Sequence, residues 1–426
     1  MDGISMWVGT WNVGARDGEW EAPPVEGQYE LADFIDASCD ILLLTLQEHM
    51  TNFIYALVSG LLELITPSKF SRLELPQSQV GGLGDGAFLQ PKYTSIACWV
   101  RRDLLARGVI QLLRTAIVPL GMAFGSKGAA GVALRVGRAR VAFIGCHLPA
   151  SSNQARKEAL DFILRRSGWL LEGHSEPIGT GAAHVVLAGD LNFRLRPDLQ
   201  PPQAVALLKD GHASSLLAWD EGKDEMRRGG LLVGYEEASM GPDFFPTYKK
   251  KENRRPFDMR RPDWMAAEYT VVHTLQWYKG GGKEWRLPAF CDRVLFKQAP
   301  RSGSQLGAVA SSYRAIYTTP PKPTHRLLNM SDHSAVCCSL ALRNQNAPHR
   351  STSIQCLSSP ALPAPSPPAS ETFWPSLAAL GLRMPFEQTV PSAPALPPLP
   401  SSMSPAGGGG GVWVGSSSPP GSHEDS

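Results

Sequence analysis

The stretch His184-Val185-Val186-Leu187-Ala188-Gly189-Asp190-Leu191-Asn192-Phe193-Arg194 opens as an apolar run and closes on polar residues. Such a run reads as a buried strand that delivers polar side chains at its C-terminal end. Residues two apart on a strand share a face. Asp190 and Asn192 are therefore expected to project together, with Leu191 and Phe193 packed into the core on the other side. A carboxylate beside an amide suits hydrolysis: the acid takes a proton from water, and the amide holds that water or the group it attacks. By itself, a D-x-N after a strand more often marks a turn.

The pattern recurs along the chain. Met6–Val13, Asp40–Leu46, Thr94–Val100, Val132–Val136, Val141–His147, Val185–Phe193, Cys291–Phe296, Arg314–Thr318 and Ser334–Leu342 are predicted strands. Between them, a predicted helix over Tyr29–Ala37 places Leu31, Phe34 and Ile35 on one face. A second, over Asn153–Leu171, carries Leu160, Ile163 and Leu164 as its apolar stripe, with Ser152 or Asn153 to cap it and Gly173 to stop it. Many strands with few helices predict an α/β fold: a four-layer sandwich of two packed mixed β-sheets flanked by helices.

The polar residues at the strand ends carry the functional argument. They are Asn12, Gln47-Glu48, His147, Asp190, Asp292-Arg293 and Ser331-Asp332-His333. Each apolar run meets a residue able to bind metal, phosphate or a proton, and ligands at strand ends of α/β proteins gather in one crevice. Singly, each has a plainer account: a turn residue, a solvated charge, a core histidine, a surface ion pair. Six in order are a different matter.

At 426 residues the chain has ample length for a large core. Its formal net charge of +2 points to no nucleic acid partner. The seven cysteines form no C-x-x-C pair, so neither a zinc site nor a disulfide framework is suggested, and reduced thiols in a cytoplasmic protein are expected. No secretory signal, membrane span or lipidation box is visible, so any membrane contact is expected to be peripheral. Residues 1–342 are the expected catalytic domain, and 343–426, rich in Pro, Ser and Gly, a disordered tail. Pro394 and Pro397 give that tail a P-x-x-P spacing suited to an SH3-like partner.

The segments G-T-W-N at Gly9–Asn12, L-Q-E at Leu46–Glu48, G-D-L-N-F-R at Gly189–Arg194, P-A-F-C-D-R-V-L at Pro288–Leu295 and S-D-H at Ser331–His333 resemble those of the inositol polyphosphate 5-phosphatases. That family belongs to the exonuclease/endonuclease/phosphatase superfamily with the DNase I-like fold. The resemblance implies Mg²⁺ as cofactor, with Glu48 as its main carboxylate, Asn12 beside it and Asp332 on the metal side; hard oxygen ligands suit that ion. It implies that Asp190 activates or aims a water which Asn192 orients, and that His147 and His333 contact the scissile phosphate. Asp292 would hold His333 in the right tautomer. Direct water attack without a covalent intermediate is implied.

For the substrate, the resemblance implies Tyr248, Lys249 and Arg286 as contacts to a neighbouring 4-phosphate, with Lys127, Arg194 and Arg293 also near phosphate. The family often carries a Lys two residues before Arg286; here Glu284 stands there. The implied partner is a phosphoinositide headgroup or soluble inositol polyphosphate. Residues 249–263 hold Lys249, Lys250, Lys251, Arg254, Arg255, Arg260 and Arg261, a strip suited to an anionic membrane surface. It opens a segment, 251–283, that looks inserted; its Trp264, Trp277 and Tyr278 are candidates to reach a membrane interface or simply to pack. Two other readings stay open: a nuclease or phosphodiesterase on the same fold, and a catalytically dead phosphoinositide-binding module.

Overall fold

A computed structural model describes residues 3–18, 28, 30–82, 91–121, 125–227, 229–238, 241–251, 259–275, 280–300, 302–316 and 327–344. The chain divides into units 1–361 and 362–426, and the second lies wholly outside the described residues. Of the expected tail, Arg343 and Asn344 belong to the last strand, and residues 345–426 with their P-x-x-P lie outside the described residues, as do Trp277 and Tyr278.

The strands, in chain order, are β1 (Ile4–Asn12), β2 (Ile41–His49), β3 (Phe70–Arg72), β4 (Gln79–Gly82), β5 (Lys92–Arg101), β6 (Ile110–Pro119), β7 (Gly128–Val136) and β8 (Ala139–His147). There follow β9 (Ala183–Asp190), β10 (Glu236–Glu237), β11 (Val272–Thr274), β12 (Lys283–Trp285), β13 (Asp292–Lys297), β14 (Ser304–Ala308), β15 (Arg314–Ala315) and β16 (Val336–Asn344). One sheet runs β14-β16-β1-β2-β5-β3, with β15 on β16 and β4 on β5; the other runs β10-β13-β9-β8-β7-β6. Each contains one parallel pair, β1 with β2 and β8 with β9, so both sheets are mixed as expected.

Alternation along the strands builds the layers. Met6, Val8, Leu43, Phe143, Val186 and Val294 pack between the sheets. Their neighbours Trp7, Leu42, Leu44 and Leu46 pack outward against Ile54, Val58 and Leu61 of the helix Phe53–Ile65. On the other side, Ile144, Cys146, Val185 and Leu187 meet Leu160, Ile163 and Leu164 of the helix Asn153–Ser167. Both faces of the central strands are thus apolar, which is why they read as unbroken apolar runs. The sheets approach closely: a Cβ on Gly145 would sit 2.2 Å from Thr45 Oγ1.

The helix Asn153–Ser167 is capped as expected, Ser152 Oγ accepting from Ala155 N at 3.1 Å, and a π turn over Gly168–Glu172 extends it to Gly173. Gly173 takes φ +84°, a left-handed stop that glycine adopts without strain. The helix expected over 29–37 is shorter: residues 30–31 are helical and 32–34 are turn, although Leu31, Phe34 and Ile35 are buried as foreseen. The expectation overlooked β6, an edge strand whose exposed Gln111 and Arg114 and shifted register between Leu112 and Arg114 break the alternation.

Candidate active site

The predicted residues meet because inward-facing rows run out at the same edge of the sandwich. Met6, Val8, Thr10 and Asn12 form one row on β1; Val141, Phe143, Gly145 and His147 form another on β8; Val186, Ala188 and Asp190 a third on β9. Register ties them: His147 pairs with Asp190, and Asp190 with Asp292 at the start of antiparallel β13. Asn12 Nδ2 donates to Asp190 Oδ2 at 2.9 Å, a bond between the two sheets. Around this point lies a cavity of about 240 Å³ lined by Asn12, Glu48, Lys127, His147, Asp190, Asn192, Arg194, Tyr248, Asp332 and His333, with Gly14 and Ala150.

Two of these residues reach the cavity by breaking the strand rule. Leu42, Leu44 and Leu46 face outward, so continued alternation would send Glu48 outward too. The register instead shifts between Leu46 and His49, and Glu48 takes φ +53°. That bulge turns its carboxylate inward, a strained backbone of the kind held at functional sites. Asp17, buried, grips the loop just beyond by accepting from Met50 N at 2.9 Å and Thr51 N at 2.7 Å. The strand expected to run to Phe193 ends at Asp190. Asn192 meets Asp190 not by sharing a strand face but through a left-handed turn, φ +53°. It donates to Asp190 Oδ2 at 3.1 Å and to Leu148 O at 2.9 Å. Leu191 and Phe193 are in the core as expected.

The charges are arranged around two ionised acids. Burial works against ionising Glu48, but Lys127 (3.7 Å), His147 and Lys92 (2.7 Å) outweigh it and hold the carboxyl at about 2. Burial also opposes ionisation of Asp190, and His333, His147 and Lys127 hold it far below the ordinary carboxylate range. Lys127 Nζ lies against His147 Nε2. Burial and Lys127 both push the pKa of this imidazole down, while Asp190, 3.3 Å from the same nitrogen, and Glu48 push it up.

His333 is the opposite case. Despite burial, Asp292 (2.9 Å from Nδ1) and Asp190 (3.9 Å from Nε2) raise it to about 10. His333 and Asp292 share one proton, and the second negative charge on Asp190 keeps it on the histidine. The stability this proton contributes is complete below the free imidazole value and is lost as pH rises through about 10. Asp190, Asp292 and His333 have ligand atoms within 4.8 Å of one another, and His333 stands between the two carboxylates. Asp292→Asn is expected to move the alkaline limb of kcat down by roughly one to two pH units, toward the ordinary imidazole value. A limb that stays in place in the variant's pH profile would remove Asp292 from this role.

The remaining residues expected near phosphate lie around and beyond this cavity. Lys249 pairs with Asp332 at 2.9 Å, at the edge of the cavity. Arg286 lies on an adjoining cavity of about 400 Å³ that shares Ala150, Arg194 and Tyr248 with the first, and its Nη2 is 3.5 Å from Glu284. Arg293 is not at the site: on β13 it points away from Asp292, 1% exposed, bound to Asp220 at 2.6 Å and Glu237 at 3.1 Å. Lys250 is buried and Trp264 packs on Phe245, so neither serves a surface strip; 252–258 lie outside the described residues. Among the described residues no helix is long and apolar enough to cross a membrane.

Sequence reasoning missed three supports. Thr247 Oγ1 donates to Asp292 Oδ2 at 2.6 Å, Lys92 pairs with Glu48, and Asp17 fixes the loop after β2. Thr247 adjoins Tyr248 and was legible as part of that motif; nothing local marked the other two.

The sequence profile of the endonuclease/exonuclease/phosphatase family 2 matches residues 9–339. Type I inositol polyphosphate 5-phosphatase 8 of Arabidopsis thaliana is 27% identical over 341 residues, covering 69% of this chain and 65% of that protein. Phosphatidylinositol 3,4,5-trisphosphate 5-phosphatase 2B of Danio rerio is 25% identical, covering 71% and 23%. The chain thus spans less than two thirds of either relative. Among solved structures, the inositol polyphosphate 5-phosphatase domain of a synaptojanin, bound to inositol (1,4)-bisphosphate and calcium, superposes with a TM-score of 0.52 at 20% identity, covering 80% of this chain and 86% of that one. A Cimex nitrophorin superposes equally well, at 0.53 and 15% identity over 80% and 99%. These likenesses show the fold alone.

Proposed function

The chain belongs to the endonuclease/exonuclease/phosphatase family 2, and from that footing we propose that it is a Mg²⁺-dependent inositol polyphosphate or phosphoinositide 5-phosphatase, with residues 1–342 as its catalytic domain. A nitrophorin shares the fold, so the site has to carry the reading. The supporting observation is the single cavity in which Asp190 accepts from Asn12 and Asn192 within 3.9 Å of protonated His333.

In this reading Asp190 aims the attacking water. Its depressed pKa makes it a weak base on its own; an anionic phosphate beside it would raise it toward useful basicity. His333 donates to the phosphoryl oxygens as charge develops, and Lys127 and Arg194 add positive potential. Thiolate attack is disfavoured: Cys146 and Cys291 are buried and burial pushes their thiols up.

The oxygen donors Glu48, Asn12 and Asp332 all line the cavity and fit a hard divalent cation, and the ionised state of Glu48 suits that role. Bound there, such an ion supplies charge neutralisation on the phosphoryl group. The adjoining cavity, with Arg286, has room and charge for the ring and its next phosphate, although Glu284 partly offsets Arg286.

Phosphate release should be measured over soluble and lipid inositol phosphates, with Mg²⁺ and with chelator. Release confined to 5-phosphorylated rings and lost by roughly 100-fold or more on chelation is expected. Cleavage of DNA with steep salt dependence, and no phosphate release, would establish the nuclease reading instead.

A further inference from the structure

Arg194 lines the cavity, and its Nε and Nη2 both bond to Asn192. Its Nη2 donates to Asn192 Oδ1, and its Nε donates to Asn192 O at 3.1 Å. A guanidinium can only donate, whereas the two ends of an amide have nearly the same shape and opposite roles. Contact with Arg194 therefore dictates that Asn192 turns its oxygen to the arginine. The NH₂ group is then left facing Asp190 Oδ2 and Leu148 O, both of which only accept.

The arginine is itself held from two directions. Its guanidinium stacks over the Tyr248 ring at 4.2 Å. Its backbone is clasped by Glu221: Arg194 N donates to Glu221 Oε2 at 2.9 Å, and Glu221 N donates to Arg194 O at 3.0 Å. The same carboxylate oxygen takes a 2.6 Å bond from Arg156, and both members of that ion pair are buried. None of these bonds requires a substrate.

We propose that Arg194 is a positioning residue, fixing which end of the Asn192 amide faces Asp190, and that the buried Arg156–Glu221 pair holds Arg194 for that purpose. The kinetic consequence rests on the reading of Asp190 and Asn192 given above; the orientation itself does not. Arg194→Lys keeps a cation at the cavity wall but cannot reach both oxygens of Asn192 with a planar fork.

Arg194→Lys is expected to lower kcat by roughly 10- to 100-fold with KM changed less than about 2-fold, the size that misplacing a reactive group causes. In an Asn192→Ala background the same substitution should cost almost nothing further, because the two residues act as one unit. A raised KM with kcat retained would make Arg194 a phosphate contact and overturn the proposal, as would equal losses in both backgrounds. The side-chain NH₂ resonances of Asn192, assigned by their disappearance in Asn192→Asp, give a readout that needs no substrate. They should shift or broaden in Arg194→Lys and, more weakly, in Glu221→Gln. Unchanged resonances would refute the orientation even in an active enzyme, and shifted resonances in a protein that releases no phosphate would fault the activity alone.

Discussion

Asp190→Ala is expected to abolish measurable phosphate release, lowering kcat by roughly 10³-fold or more. Asp190 is 1% exposed and stands where four of the site's side chains converge: Asn12 at 2.9 Å, Asn192 at 3.1 Å, His147 at 3.3 Å and His333 at 3.9 Å. Removing it takes away the acceptor proposed to aim water and also one of the three carboxylates keeping His333 protonated. Headgroup binding should survive largely intact, because the cavity loses a negative charge and keeps Lys127 and Arg194. Single-turnover phosphate release beside equilibrium binding of the same ligand checks this. Turnover equal to that of the unaltered protein would refute the assigned role.

Arg293→Met is expected to destabilise the fold by about 3–5 kcal/mol while leaving KM unchanged in the folded fraction. Arg293 bridges Asp220 and Glu237 in the interior, and Glu237 also accepts from Tyr313 at 2.7 Å. Without the guanidinium, Asp220 is left as an uncompensated buried charge; burial already raises its pKa, with Arg293 the main opposing influence. A carboxyl whose folded pKa is raised costs stability above its unfolded value, so the deficit should shrink as pH falls toward the carboxylate range. Urea denaturation at two pH values measures this. A normal midpoint with a raised KM would restore Arg293 to the substrate site.

Much of the site was legible because its residues continue rows that the apolar pattern already defines. Asn12 follows Met6, Val8 and Thr10, and His147 follows Val141 and Phe143, so the face each occupies was fixed by parity. The same parity held the clue to Arg293, which shares its face with Leu295 on the outer side of the sheet. Glu48 and Asn192 escaped it, since a bulge and a left-handed residue reset the count. Lys250 was misread as a surface residue because local composition carries no measure of what packs above it, and Trp264 takes the packed of the two places left open for it.

The sequence by itself determined the two-sheet sandwich and the central strand ends at which polar residues gather, because strand parity and apolar runs are local properties that survive folding. Only the tertiary structure decided protonation and partnership: which acid keeps His333 charged, which lysines hold Glu48 ionised, which arginine faces the cavity and which is sealed in the interior. Those depend on distances between segments as far apart as Asn12 and Asp190, and electrostatic energy follows spatial separation and burial, which the linear chain does not encode residue by residue.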